Sequence, residues 1–121
     1  MLLVGFGLDD TIEKVKKMAY KVANLRIFPD SNDKLNLSIK DVCGKILSIS
    51  QFTLYGDASH GNRPSFTNAL NPNDATKLYD LFNEKLSKLL HVETGIFGSD
   101  MKVEIYNDGP VTIMLDSNEL F

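Results

Sequence analysis

Cysteine is nearly absent. Cys43 is the only one, so no internal disulfide can form and cysteine offers no basis for a metal site. A thiol nucleophile needs a base beside it, and the only histidines, His60 and His91, are distant in sequence. Cys43, just before Gly44, is therefore read as a small buried hydrophobe. Long apolar runs are missing too, and none approaches the ~18 residues that cross a bilayer. Met1–Phe6 has neither the basic flank nor the small-residue cleavage site of a signal peptide. It reads as a strand, and a cytoplasmic location is expected. There is no internal repeat, low-complexity tract or linker, and 121 residues leave room for one domain, 1–121. Excess positive charge is lacking as well. A net charge of −3 argues against a protein that coats long stretches of phosphate backbone, DNA included. A small basic patch gripping one RNA end remains compatible with it. Lysines do gather, at Lys14, Lys16, Lys17 and Lys21 and again at Lys77, Lys85 and Lys88, in a pattern that solvated helix faces also explain.

What is present is an ordinary globular composition: 43% apolar and 24% charged residues exclude a disordered chain. Leu2–Phe6 reads as a buried strand closed by Gly7. Asp10-Thr11-Ile12-Glu13 has the spacing of a helix cap with a reciprocal carboxylate, and Ile12, Val15, Met18, Ala19 and Val22 continue at helical spacing. Pro29-Asp30-Ser31-Asn32-Asp33 is a run of turn formers. Lys34–Ile39 alternates as a strand. Lys45–Phe52 is another, with Leu47 and Ile49 on one side and the more polar Ile46, Ser48, Ser50 and Phe52 on the other. Tyr55–Pro64 is a glycine-rich polar loop of the kind that carries function. Asn71-Pro72-Asn73-Asp74 opens a second helix with the stripe Ala75, Leu78, Phe82, Leu86 and Leu89. Met101–Tyr106 and Val111–Leu115 alternate as two strands joined across Asn107-Asp108-Gly109-Pro110. The order β-α-β-β-α-β-β predicts an α+β domain, a curled, barrel-like mixed or antiparallel sheet with two packed helices.

Two stretches carry chemistry. At Ser50-Gln51-Phe52-Thr53 a strand end exposes backbone N–H groups, which can hold the oxyanion formed when an ester carbonyl is attacked; one such donor is worth on the order of 10²–10³ in rate. The Gln51 amide can donate and accept, suiting a ribose hydroxyl or an amino group. Thr53 offers a hydroxyl, but a threonine nucleophile needs a base within reach and none is evident. The polar end of a core strand explains the same residues without chemistry. In Asn107-Asp108-Gly109-Pro110-Val111-Thr112, Pro110 lacks an N–H and Gly109 a side chain, which suits either a sharp bend or close approach to a ligand. A cis bond before proline costs only about 0.5–1 kcal/mol over trans. Arg63 can meet a phosphate or brace a pocket. His60 reads as a loop residue, His91 as a partner of a helix end. Asp57 and Asp100 lack the spacing of paired-acid hydrolysis.

Taken together, Ser50-Gln51-Phe52-Thr53, Gly61-Asn62-Arg63-Pro64-Ser65-Phe66, Thr94-Gly95 with Phe97, and Asn107-Asp108-Gly109-Pro110-Val111-Thr112 stand in the order and approximate spacing of the D-aminoacyl-tRNA deacylases. Arg26-Ile27-Phe28 and Lys34-Leu35-Asn36 look similar too. The likeness runs from Leu2 to about Leu115. The resemblance implies a homodimeric enzyme that strips D-amino acids from mischarged tRNA, a proofreading hydrolase needing no metal or cofactor. It implies that Gln51, Phe52 and Thr53 act at the reacting ester and that Ser50, Asn107, Gly109, Pro110, Val111 and Thr112 bind the substrate, the aminoacylated 3′-adenosine of tRNA. The Gly109-Pro110 turn would be cis, enter the partner subunit's pocket and exclude L-amino acids by clash. A sister group uses a trans bond for the other chirality error. Glycyl-tRNA becomes an expected second substrate. Hydrolysis would be assisted by the substrate's own 2′-hydroxyl. Members of the family usually begin with a further strand pair carrying a Gln-Arg-Val stretch, whose arginine braces the Gly-Pro turn, and Leu2 looks like the start of the next strand. A shortened sequence and a sheet completed differently both account for this. A non-catalytic nucleic-acid-binding protein and an inactive form of the same fold are the alternatives.

Overall fold

The computed structural model describes residues 1–121. Its elements run β1 (Leu2–Val4), α1 (Ile12–Asn24), β2 (Arg26–Pro29), β3 (Leu35–Ser38), β4 (Ile46–Ser50), a 3-10 turn (Phe52–Tyr55), α2 (Pro72–Ser87), β5 (Val92–Thr94) and a short α3 (Ser117–Leu120). Strands β1, β4 and β5 form a parallel sheet in the order β1-β4-β5, and β2 pairs antiparallel with β3 as a separate ribbon. Parallel neighbours need a crossover long enough to hold a helix. Accordingly α1 lies between β1 and β4, and α2 between β4 and β5. The chain is α+β with mixed pairing. It forms no barrel, because β1 and β5 each have a strand neighbour on one side only and so short a sheet cannot close on itself.

Local chemistry sets the helix ends. Thr11, extended at φ −128°, caps α1 by accepting from the Lys14 N–H at 3.2 Å. The cap is thus one residue later than the Asp10…Glu13 spacing suggests, because Asp10 is engaged elsewhere. Its Oδ2 accepts the Gly7 N–H at 2.7 Å and its Oδ1 the Ser117 hydroxyl at 3.1 Å. Helix α2 starts where expected, with Asn71 Oδ1 accepting from the Asp74 N–H at 3.0 Å and Pro72 at the first position, where a missing N–H costs nothing. It stops at Ser87, short of Leu89, whose N–H bonds back to Leu86 O at 2.9 Å.

The core lies between the helices and one face of the sheet. Val15, Ala19 and Ala23 of α1 meet Ala75, Tyr79, Phe82 and Leu86 of α2, closed by Phe6 and Ile46. Strand β4 presents its Ile46/Ser48 side to the helices, the reverse of what its polarity suggests: both are buried, while Leu47 is exposed. Serine is small enough for Tyr79 to reach the strand, and the Tyr79 hydroxyl donates to Ser48 O at 2.8 Å. Ile49, on the other side, is buried near Gly95, where an added Cβ would stand 2.5 Å from Met101 Sδ and 3.2 Å from Ile49 Cδ1. The Ser48 hydroxyl itself is buried without a partner, a state that costs free energy. Ser48→Ala is therefore expected to leave the free energy of unfolding in urea unchanged, or to raise it by up to about 1 kcal/mol. A loss of that size would show that the hydroxyl is bonded in solution.

Other segments also differ from the sequence reading. Cys43 is exposed, not buried, in a turn where its φ is +55°. Val92–Thr94 is a strand that the alternation did not reveal. Met101–Tyr106 and Val111–Leu115 alternate as strands should, yet they form none: no backbone hydrogen bond runs from Met101 through Leu115. A strand exists by its ladder, and no other segment of the chain lies alongside to supply one. The result is an exposed arm. It is tied at its far end by the Ser117–Asp10 bond, by Lys14 Nζ donating to Asn118 Oδ1 at 2.9 Å, and by Lys17 lying 5.8 Å from the Phe121 ring centroid.

Candidate active site

Ser50, half-buried, ends β4, and the chain turns at once. The Gln51 N–H donates to Val4 O at 2.7 Å, which ties the turn to β1. Within it, Leu54 N–H reaches Gln51 O at 3.3 Å and Gly56 N–H reaches Thr53 O at 2.9 Å. The first N–H groups of any helical turn have no partner inside it. Here those of Phe52 and Thr53 are left over, and no side chain caps them. Gln51 Nε2 donates to Thr53 Oγ1, so the two polar side chains form one surface. Phe52 and Thr53 are exposed, and the Phe52 ring packs edge-on to Phe66 with centroids 5.1 Å apart.

Tyr55 points the other way and is half-buried. Burial first, then the carboxylates of Asp10, Asp116 and Asp9, push its phenol up to about 12, so the hydroxyl keeps its proton at any physiological pH. Tyr55 and the glycines beneath it were not among the residues expected from sequence. The signal was there in Gly5-Phe6-Gly7, since glycine on alternate positions beside a strand marks a close approach.

The loop that follows is closed by paired bonds between Asp57 and Ser65, at 2.8 and 2.9 Å. It places Ser59, His60 and Asp57 together without making a relay. Ser59 Oγ lies 2.9 Å and Asp57 Oδ2 3.9 Å from the same ring nitrogen, His60 Nδ1. A triad needs its nucleophile and its orienting acid on opposite nitrogens of the histidine. The Ser59 hydroxyl and N–H hold the Asp57 carboxyl below its usual range, as an ordinary loop bond does. No three His, Cys, Asp or Glu side chains gather where they could hold a metal ion, and no helix is long and apolar enough to cross a membrane.

The second stretch is a self-contained turn. Asn107 Nδ2 donates to Thr112 Oγ1 at 2.9 Å and Asn107 Oδ1 accepts the Val111 N–H at 3.3 Å. The Gly109-Pro110 bond is cis, and Gly109 sits at φ +124°. Asn107 through Thr112 are all exposed, and their hydrogen bonds stay within the turn. Within one chain, then, Ser50–Thr53 form one group and Asn107–Thr112 another, and nothing joins them.

A small α+β protein with uncapped amides at a strand end and an exposed Gly-Pro turn is the class that these features define. The family model described as D-Tyr-tRNA(Tyr) deacylase matches residues 1–116. A D-aminoacyl-tRNA deacylase of Clostridium perfringens (strain SM101 / Type A) is 56% identical over 121 residues, which cover 99% of this chain and 81% of that protein. A solved structure described as c-Myc DNA Unwinding Element Binding Protein superimposes with a TM-score of 0.87 at 40% identity, over 94% of this chain and 78% of that one. A probable eukaryotic D-amino acid tRNA deacylase aligns at a TM-score of 0.57 and 19% identity, over 72% of this chain and 50% of that one, a likeness of fold alone. The chain belongs to the D-Tyr-tRNA(Tyr) deacylase family, a family of hydrolases.

Proposed function

We propose that this chain hydrolyses the ester between a D-amino acid and the 3′-terminal adenosine of tRNA, releasing the free D-amino acid and the tRNA. The observation that carries the reading is the uncapped turn, whose Phe52 and Thr53 N–H groups have no partner in the chain's own bonding. Two such donors can hold the oxyanion that forms as water adds to the ester carbonyl. Gln51, bonded to Thr53, is placed to grip the adenosine ribose or the substrate amino group, and Thr53 serves as a binding group. The substrate's own 2′-hydroxyl takes a proton from the attacking water as it gives its own to the departing 3′-oxygen, in keeping with a turn that offers no side-chain base.

In this reading the enzyme works as a homodimer in the cytoplasm. The arm supports that arrangement: it carries a row of unpaired backbone groups, with Ile105 and Ile113 about half exposed and Met114 93% exposed, and such edges pair with another chain. The partner's Asn107–Thr112 turn would enter the pocket beside Ser50, where Gly109 and Pro110 present bare carbonyls to the place an L side chain would occupy. An L-amino acid is rejected by clash, whereas glycine passes, so mischarged glycyl-tRNA is a second substrate. The test is release of amino acid from matched D-tyrosyl- and L-tyrosyl-tRNA. Release from the D ester alone is expected, with Gln51→Ala about 10–100-fold slower, as loss of a hydrogen bond to a charged or reacting group costs. Release from neither sinks the reading. Retained binding of nucleic acid in that case would favour the second one, a binding protein without catalysis, for which the name of the c-Myc DNA Unwinding Element Binding Protein speaks.

A further inference from the structure

We propose that Tyr55 is the positioning residue of this site: its ring, seated on the bare backbone of Gly5 and Gly7, holds the Phe52–Tyr55 turn so that the Phe52 and Thr53 N–H groups face outward together. The consequence for catalysis rests on the hydrolase reading above; the placement itself does not. Beyond the Gln51–Val4 bond and the Phe52–Phe66 contact, the turn has little else to hold it. Phe52 and Leu54 are each more than half exposed, and Thr53 is exposed as well, so Tyr55 is the one residue of the four that reaches inward. The turn's cap has no side-chain bond, and its Leu54–Gln51 bond is long at 3.3 Å.

The seat is specific. Residues two apart on an extended segment face the same side, so one ring can lie against both glycines. Atoms Cε2 and Cδ2 of Tyr55 lie 3.2 and 3.3 Å from where a Cβ on Gly5 would be. Atoms Cε1, Oη and Cζ lie only 2.7, 2.7 and 2.8 Å from where a Cβ on Gly7 would be. An alanine at Gly7 cannot coexist with the ring in this position, since real methyl groups do not approach so closely. Gly5 serves the turn a second time, because the Gln51 carbonyl oxygen stands 3.0 Å from its missing Cβ. Ring and carbonyl thus lock the two ends of the turn onto one short length of chain.

The experiment measures single-ester turnover and amide hydrogen exchange at Leu54 and Gly56, the turn's bonded amides, in Tyr55→Phe, Tyr55→Leu, Gly7→Ala and the Gly7→Ala/Tyr55→Leu double variant. Tyr55→Phe keeps the ring and should match the parent in both readouts. Tyr55→Leu fills space without the ring's reach. It should lower kcat roughly 10–100-fold, the cost of a misplaced donor, with KM within about twofold. Its exchange at Leu54 and Gly56 should quicken by a similar factor, with α1 and α2 unchanged. Gly7→Ala should do the same by expelling the ring. The double variant should be no worse than either single one, because the methyl then has nothing to displace. Parental exchange at Leu54 and Gly56 in Tyr55→Leu overturns the proposal outright. Fast exchange with parental kcat overturns the catalytic role alone. If the parent chain releases no amino acid, the hydrolase reading fails, and exchange still decides whether the ring holds the turn.

Discussion

Gly109→Ala is expected to lower release of D-tyrosine from its tRNA on the order of 10²-fold, with thermal melting of the chain unchanged. Gly109 stands at φ +124°, a backbone conformation that a residue with a Cβ adopts only at a cost of about 1–3 kcal/mol. The added methyl would also lie 3.0 Å from Val111 Cγ2 and 3.2 Å from Val111 N. Val111 must therefore move, and with it the N–H that Asn107 Oδ1 accepts at 3.3 Å, the bond that closes the turn. A shift near 1 Å at a group lining a reacting centre is enough for a 10²-fold loss. Little of that strain should reach the melting curve, because residues 107–112 are exposed and outside the core and the turn can rearrange to relieve it. Single-turnover release, read beside a melting curve, separates the two effects. Turnover within twofold of the parent would remove the turn from the site and leave the Gln51–Thr53 group to act alone.

That a turn lies at Asn107–Pro110 was legible in the sequence, because Gly-Pro and Asn-Asp declare a bend wherever they occur. Both helices were legible for a similar reason, the 3.6-residue spacing of Val15, Ala19, Phe82 and Leu86. Failures came where a residue's role depends on what lies across from it. Asp10 looked like a cap, but Gly7 and Ser117, the latter more than a hundred residues on, occupy both its oxygens. Ser48 looked like a solvent-facing position and is buried, since Tyr79 needs a small residue to reach the strand. Val92–Thr94 is too short to show a period. Met101–Leu115 shows the period of a strand and lacks the partner that would make it one. Tyr55 is the plainest case: nothing local distinguishes it from Leu54, and only the glycines fifty residues earlier disclose which of the two faces inward.

Leu86→Ala should lower the free energy of unfolding by about 2–5 kcal/mol and the melting temperature by roughly 8–20 °C. Leu86 is fully buried at 0% exposure, sits in the last turn of α2 and shares the core cluster with Phe82 and the alanines of α1. Alanine in its place leaves a cavity that the two small side chains of Ala19 and Ala23 on α1 do little to fill. The loss weighs more here than in a thicker protein. Only 13 of 121 residues are buried, so the core shares its work among few side chains. A domain of this size has about 5–15 kcal/mol to lose. The consequence reaches the site through a short path. Helix α2 holds β4 by the Tyr79–Ser48 bond, and β4 ends in the residues that begin the turn. Denaturation in urea gives the free energy and a melting curve the temperature. A shift below about 2 °C would mean that the helices draw together around the cavity, and that the α1–α2 contact is softer than its alanines imply. A full shift, with turnover per folded molecule unchanged, would show that the core supports the turn as a platform while Gly5, Gly7 and Tyr55 set its aim.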